Sequence, residues 1–383
     1  MAAIRRFLFT LSLALCLARS AYAKTNMELI VNSVYQSGNG GKQAFDGTGD
    51  QALTLYEPVL YINSQLDHNT SVFGSAVFDT FTSASGKAFD SDTGASEAAG
   101  RGGLNLIRGW QTRAGFDAGV SKRYGGWQLT PTAGYSSELS YKSVHGGLNA
   151  QRFFAEDNFV ASAGFFHYAD EAKPWDVAAA KFTGFKPKTT NSLNASVTQI
   201  LNAREIVLAG ISYTRQGGFL EGTRNTVSTG TLTERANEVL PQRRDKFSAN
   251  ARYVRGLRED LAFHLDYRYY ADSWEIRAHT LEPSLAASFS DEKGLLRVHY
   301  RRYSQTAAEY YRAGSYAGIQ PVMTSDSDLD KFTADEGGLQ LSYAPEGGEG
   351  DLAEWTWGGS AVYYKRSNDL KAVILQFSVA AKF

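Results

Sequence analysis

Charged and imidazole side chains recur at every second position in neighbouring segments of the second half of the chain. Residues two apart in an extended strand project from the same face. If these segments pair as strands, acids and bases of neighbouring strands meet with Cβ atoms about 5 Å apart. Such a cluster forms a wall of salt bridges or a charge filter that selects solutes, and a metal or catalytic site is the third possibility. Its members are His264, Asp266, Arg268, Glu282, Arg297, His299 and Arg301.

The six histidines offer only fragments of a catalytic site. A hydrolase needs a nucleophile, a base within hydrogen-bond reach and a group that orients the base. His145 follows Ser143 on one face of a predicted strand, and Asp272 and His279 fall near the same end of a predicted hairpin. No segment combines serine, histidine and an acid at a spacing above chance. We therefore assign no catalytic residue, and the sequence favours a protein that is not an enzyme while leaving that question open.

Metal-binding patterns are weaker still. The chain contains neither His-x-x-x-His nor His-Glu-x-x-His, and its one cysteine, Cys16, lies in a predicted export signal. The run Asp326–Asp330 has acidic residues at the spacing of a calcium loop, but it lacks the glycine and final glutamate of an EF-hand. We predict a solvated acidic loop there, and no metal or cofactor.

The elements that must position these residues follow from alternation between apolar and polar side chains. In the segment after Glu259, Leu261, Phe263 and Leu265 share one face, which is the period of a β-strand. About sixteen such segments occur, each roughly 10 to 15 residues long and therefore long enough to cross a bilayer at a tilt. They start near Asn26, Ala52, Thr70, Gln111, Trp127, Lys142, Asn158, Thr190, Glu205, Asp245, Glu259, Glu275, Gly294, Glu336, Leu352 and Asp369.

The connections between these segments alternate in length. In an antiparallel closed sheet, odd-numbered connections lie at one end and even-numbered ones at the other. All long connections are odd-numbered, which is the asymmetry of outer-membrane barrels, with long external loops and short periplasmic turns. The long connections are Asn39–Asp50, Ser83–Trp110, Glu171–Lys188, Gly218–Arg244 and Ala307–Asp335.

Composition and the first residues narrow the class of protein. The 39 basic and 40 acidic residues nearly cancel, which argues against nucleic acid as a partner. Residues 1–23 have the basic start, apolar run and Ala21-Tyr22-Ala23 ending of a secretory signal. We predict a signal peptide over residues 1–23 and a single barrel domain over 24–383.

The apolar strand faces must point outward, because an unpaired charge in hydrocarbon costs about 2 to 4 kcal/mol at the midplane. Outer-membrane lipid is then the first predicted partner. Phe383 ends the last alternating segment, so we predict that the barrel assembly machinery recognises the chain through it. The predicted fold is an all-β, transmembrane, antiparallel up-and-down barrel of about 16 strands in the cell outer membrane.

Three stretches also carry a family resemblance, namely Gly134–Glu138, Asp266–Glu282 and Arg302–Tyr311. They resemble a family of exported proteobacterial proteins that is known as a domain of unknown function. Its members are taken to be outer-membrane β-barrels, so the resemblance implies the same fold and location over the whole mature chain. It implies no activity, and no functional residue is carried over from it.

Three functions remain open at this point. The first is a pore or transporter for small solutes, because sixteen strands leave room for an aqueous channel. The second is an occluded barrel that anchors or assembles a periplasmic or surface partner, and the third is an enzyme at the barrel rim. A secreted β-sandwich or β-solenoid is the alternative architecture, but the chain has neither a short repeat nor a domain break. The oligomeric state is left open.

Overall fold

The computed structural model describes residues 24–41, 51–82, 110–346 and 353–383, and within them it shows a closed barrel of sixteen antiparallel strands. The predicted signal peptide, residues 1–23, lies outside the described residues. The barrel strands are β1 (Lys24–Ser37), β2 (Leu53–Asp67), β3 (Thr70–Thr82), β4 (Trp110–Tyr124), β5 (Trp127–Ser137), β6 (Tyr141–Phe154), β7 (Phe159–Ala172), β10 (Lys186–Asn202), β11 (Glu205–Gly218), β14 (Arg243–Arg258), β15 (Leu261–Asp272), β16 (Arg277–Phe289), β17 (Gly294–Gln305), β18 (Phe332–Tyr343), β19 (Glu354–Arg366) and β20 (Lys371–Lys382). Two short hairpins complete the set, β8 (Trp175–Asp176) with β9 (Lys181–Phe182) and β12 (Thr226–Thr229) with β13 (Thr231–Asn237).

The topology is up-and-down, since each barrel strand pairs with the next one in the chain and β20 closes the sheet against β1. This confirms the predicted fold class. The predicted strand starts are close to the observed ones. The largest differences are at β10, where Thr190 was expected and Lys186 is found, and at β18, where Glu336 was expected and Phe332 is found. In both cases the strand begins inside a long connection, and its hydrogen bonding starts before the apolar and polar side chains begin to alternate.

The two faces of the barrel differ as the alternation predicts. Large apolar side chains are exposed on the outer face around the whole barrel, for example Phe116 at 56%, Val144 at 57%, Ile211 at 55% and Leu339 at 53%. The residues between them on each strand face the interior and are mainly small or charged. No free sheet edge remains in the barrel, so backbone groups pair within it, as a structure surrounded by lipid requires.

The two ends of the barrel differ in the length of their connections. At one end, strands join through turns of two residues, such as 125–126 between β4 and β5 and 203–204 between β10 and β11. Gly125 has a φ of +54°, which glycine adopts without strain in so tight a turn. At the other end lie the long connections 173–185, 219–242 and 306–331. No helix in the described part of the chain is long and apolar enough to cross a membrane.

The three long loops, 173–185, 219–242 and 306–331, pack together, and we call them the lid. The amide of Trp175 donates to the carbonyl of Thr223 at 2.7 Å, which joins the first loop to the second. Val239 and Met323 exchange backbone hydrogen bonds of 2.8 and 3.0 Å, which join the second loop to the third. A buried apolar cluster fixes the lid to the barrel rim and consists of Leu240, Trp274, Ile276, Ala308 and Leu329.

Candidate functional site

The seven charged and imidazole residues singled out in the sequence lie on one continuous part of the inner wall. Cross-strand pairing sets Asp266 of β15 opposite Glu282 of β16, and His264 opposite Ser284. Ser284 is in turn opposite His299 of β17. Since β15, β16 and β17 are neighbours with alternating faces, all seven residues share this surface. With two further residues described next, Arg252 and Glu336, they form what we call the charged wall.

Each carboxylate of the charged wall has a cationic or imidazole partner. Asp266 accepts a hydrogen bond of 2.6 Å from Nε of Arg252 on β14, rather than from an arginine of β17. Glu282 accepts one of 3.2 Å from Arg297, whose Nε also donates to the hydroxyl of Ser284 at 3.2 Å. The acids of the wall are therefore paired by side chains that rigid strands hold in place.

Glu336 of β18 is the third carboxylate of the charged wall. It lies 3.3 Å from Nε2 of His299 and 3.7 Å from Nη1 of Arg301. The sequence interpretation missed Glu336 because it fell at a predicted strand start. It also missed Arg252, although this residue alternates with apolar neighbours in the same way as those chosen. Counting cross-strand partners on both sides of the cluster would have found both.

A second acid–base pair lies on the opposite side of the interior. Nε2 of His145 on β6 is 2.6 Å from Oδ1 of Asp117 on β4, and the ring stacks on Tyr168 with a centroid distance of 4.9 Å. The imidazole reaches across Gly134 of β5, where any side chain would collide with it. No hydroxyl group in the described ranges hydrogen-bonds to this imidazole, so the fragment proposed with Ser143 does not form.

The other fragment, Asp272 with His279, does not come together in the structure. Asp272 lies on the inner face and binds Arg244 at 2.5 Å with no exposed side-chain surface. His279 lies on the outer face, where Nδ1 is 2.8 Å from the hydroxyl of Tyr267. The residue paired with His279 lies an odd number of positions from Asp272 along its strand. Because successive side chains of a strand alternate between the faces of the sheet, Asp272 and His279 lie on opposite faces.

Between the lid and the barrel wall lies a cavity of about 690 Å³, which we call the lid cavity. Inner-face residues from distant parts of the barrel line it, such as Leu55 of β2 and Tyr303 of β17, and the lid closes it on the remaining side. Acidic residues outnumber basic ones in its lining. The acids are Glu57, Asp79, Glu138, Glu221, Glu238, Asp326 and Asp328, and the cations are Arg113, Lys188 and Arg244.

Glu238 is a deeply buried acid that the lid contributes to the cavity, with 5% of its surface exposed. Its carboxylate accepts hydrogen bonds from the amide of Gly222 at 3.0 Å, from Asn225 at 3.3 Å and from the hydroxyl of Thr324. Burial, together with the negative charge of Asp326, raises the pKa of Glu238 to about 7. Its protonation therefore changes in the neutral range.

The acidic run Asp326–Asp330 is not the solvated loop that we expected. None of its residues is exposed, and Asp326 caps the single 3-10 turn Ser327–Leu329 by accepting from the amide of Asp328. Asp328 forms an ion pair with Arg366 of β19, which ties the lid to the wall. The aspartates of the run are partly buried because the lid packs on the barrel, a contact that the local sequence does not encode. In the part of the chain that the structure describes, no group of three or more His, Cys, Asp or Glu is placed to hold a metal ion.

Comparison with protein families gives one match. A family model described as "Protein of unknown function (DUF3570)" matches residues 80–376. A comparison with curated proteins finds no match.

Comparison with solved structures finds barrels of low sequence identity. Pseudomonas aeruginosa OpdK with vanillate is 11% identical, with a TM-score of 0.46, and the match covers 94% of this chain and 99% of OpdK. A bacterial polysaccharide outer membrane secretin is 12% identical, with a TM-score of 0.48 and coverage of 93% and 98%. The ferric enterobactin receptor PfeA of Pseudomonas aeruginosa, in a mutant form, is 15% identical, with a TM-score of 0.44 and coverage of 89% and 53%. At these identities none of their residues or ligands is assigned to positions of this chain.

Proposed function

The chain belongs to the family described as protein of unknown function DUF3570, and from that premise we propose that it is an outer-membrane pore or transporter for small solutes. The observation that carries the proposal is the interior of the barrel. Sixteen strands close around a polar inner surface, and a cavity of about 690 Å³ lies beneath the lid. An interior built of charged side chains and a cavity suits the passage or binding of hydrophilic solutes.

The outer face supports the membrane part of the proposal. Apolar side chains such as Leu193 and Phe377 are 55% and 51% exposed there, in a band that surrounds the barrel. An apolar band of this extent is unfavourable in water and favourable in lipid. Fractionation of cells should recover the protein with the outer membrane, and its mobility on gels should change on heating. Recovery in the soluble periplasmic fraction would contradict the proposal.

The lid gives a specific reason to keep a second candidate, an occluded barrel that anchors or assembles a partner. The apolar contacts of Leu240 and Leu329 with Trp274, and the ion pair between Asp328 and Arg366, hold the second and third loops of the lid to the barrel. A lid with these contacts either opens for transport or closes the barrel permanently. The two candidates differ in whether ions pass.

Conductance of the purified protein in planar lipid bilayers tests the choice. A pore gives discrete current steps, whereas an occluded barrel gives none in the same membranes. The substitution Asp328→Asn removes the charge that holds the lid to Arg366 and should lengthen the open intervals of a gated pore. Absence of current from both proteins, with correct heat-modifiable folding, would favour the anchor.

We further propose that Phe383 is recognised by the barrel assembly machinery. The Phe383 side chain is 40% exposed at the seam of the barrel, and its amide donates to the carbonyl of Thr25 at 2.9 Å. Deleting Phe383 should lower the yield of folded barrel severalfold without affecting export. An unchanged yield would show that the assembly machinery uses another part of the chain.

A further inference from the structure

We propose that the lid cavity binds a small organic cation, an amine that carries an apolar group. This inference rests on the proposed function, because it names the class of solute that the pore would take. It is carried by the balance of charge, the unpartnered oxygen of a buried acid, the apolar lining and the volume of the cavity.

The charge balance of the lid cavity is unequal after internal pairing is taken into account. Arg113 forms an ion pair with Asp79, to which its Nε donates a hydrogen bond. Its Nη2 lies 3.6 Å from Oε2 of Glu57. Arg244 forms an ion pair with Asp272, whose side chain is fully buried. Two of the three cationic side chains of the lining are thus bound to acids of the barrel, and Nζ of the third, Lys188, lies 5.5 Å from the ring centroid of Tyr141.

Three of the remaining acids, Glu138, Glu221 and Glu238, have no cation within ion-pair distance among the residues that the structure describes. Glu221 instead accepts hydrogen bonds from the amides of Leu220 and Leu240, at 3.1 and 3.3 Å. Burial raises the pKa of Glu138 as well as that of Glu238, although the charges of Arg113 and Arg224 lower it at Glu138. A bound cation would pair with these acids at close range.

Asp79 provides an independent sign of an unfilled site. It lines the lid cavity and is 4% exposed. One carboxylate oxygen accepts from Arg113, while Oδ1 has no hydrogen-bond partner within the described ranges. A buried carboxylate oxygen without a donor is costly, and an N–H group of a ligand would satisfy it.

The rest of the lining selects an organic cation. Apolar and aromatic side chains from the wall and the lid face the cavity, including Leu55, Phe219, Tyr270, Trp274 and Leu329. A hydrated metal ion gains nothing from such surfaces, whereas the hydrocarbon part of an amine is removed from water on them. The volume of about 690 Å³ lies within the ordinary range of small-molecule sites.

Calorimetric titration with three matched probes tests the inference, using the full-length protein folded in lipid nanodiscs near neutral pH. The probes are phenethylamine, 2-phenylethanol and 3-phenylpropionate, which share an aromatic ring and differ in charge. The amine should bind at least about tenfold more tightly than the alcohol, and the carboxylate should bind most weakly. Equal or tighter binding of the alcohol or the carboxylate would overturn the inference.

Two double variants with the same change in net charge localise the effect. Glu138→Gln with Glu221→Gln removes two acids from the cavity and should abolish the preference for the amine, while binding of the alcohol stays the same. Glu156→Gln with Glu292→Gln removes two exposed acids from turns at the opposite end of the barrel and should leave the preference intact. Heat-modifiable mobility on gels checks that both variants fold. A preference that survives the first change would contradict the assignment of the cavity.

Conductance of the same preparations separates this inference from the proposed function. Current steps without any preference for the amine would overturn the cation site and leave the pore in place. A clear preference for the amine in a protein that passes no current would overturn the pore and leave the cation site in place. Both results together, current and preference, support the two proposals.

Discussion

The charged wall and the lid cavity are neighbours inside one barrel, but they differ in whether their acidic residues have basic partners. In the wall, Asp266, Glu282 and Glu336 each lie within 3.3 Å of a basic side chain from a neighbouring strand. In the cavity, Glu138, Glu221 and Glu238 have no such partner in the described part of the chain. Every acid of the wall thus has a basic partner, whereas these three acids of the cavity form no ion pair within the described residues.

This difference follows from the elements that carry the residues. Strands in fixed register place acids and bases opposite each other at about 5 Å, so pairing in the wall is built into the sheet. Loops have no register, and their carboxylates are placed by contacts with other loops. Ion pairing here belongs to the rigid scaffold, and the acids without an ion-pair partner lie where the loops meet the barrel wall around the cavity.

The largest expected effect tests how far the inner face of the barrel depends on ion pairing. Asp272, at the lid end of the same inner face, is fully buried and bonded to Arg244. The substitution Asp272→Ala leaves that guanidinium without its partner, so the free energy of unfolding should fall by about 3 to 5 kcal/mol. Urea unfolding followed by tryptophan fluorescence measures the loss. Asp260→Ala, in an exposed turn, is the control and should change it by less than about 0.5 kcal/mol.

A second change asks whether the wall lines an open path. Replacing Arg297 and Arg301 by glutamate reverses the sign of the wall beside Glu282 and Glu336. In an open channel the selectivity for ions should shift toward cations, because a charge acts over roughly a Debye length of about 8 Å at physiological salt. The reversal potential in a salt gradient measures the shift. An open pore whose reversal potential stays constant would rule out the wall as a filter.

A third test uses the pH dependence of the lid. The pKa of Glu238 is raised from 4.5 to about 7, so the folded lid keeps a proton that the open lid releases between these values. The stability of the lid should therefore be highest below pH 4.5, fall as the pH rises toward 7 and remain low above it. Hydrogen exchange of residues 219–242 should accelerate over this range. In Glu238→Gln the acceleration should be absent, and its persistence would assign the effect to another group.

The smallest expected effect comes from comparing the loss of one acid of the charged wall with the loss of one acid of the lid cavity. Glu282→Gln removes half of an ion pair that is partly exposed, so the free energy of unfolding should fall by about 1 kcal/mol. Glu138→Gln removes a buried acid that forms no ion pair within the described part of the chain, so stability should be unchanged or slightly higher. Thermal unfolding of the two variants, measured side by side, gives the comparison. A larger loss from Glu138→Gln would show that the cavity acid has a partner we have not identified.

Much of the scaffold could be predicted from the sequence because the period of a strand is local. Alternation alone located all sixteen barrel strands, and it placed His264, Asp266 and Arg268 on one face together with their cross-strand neighbours. The alternation left the partner of Asp266 open, since a strand has two neighbours and alternation does not choose between them. Arg252 was the partner on the side that was not considered.

The amino-acid sequence by itself determined the barrel, the direction of its faces and the end at which its long loops lie, because each depends on residues two positions apart or on the length of a connection. The existence and the lining of the lid cavity, in contrast, depend on the tertiary structure. The hydrogen bond from Thr324 to Glu238 joins residues 86 positions apart, and that from Asn225 to Asp326 joins residues 101 apart. The burial of an acid is set by such distant contacts, since they decide how much water reaches it and whether a cation lies within reach.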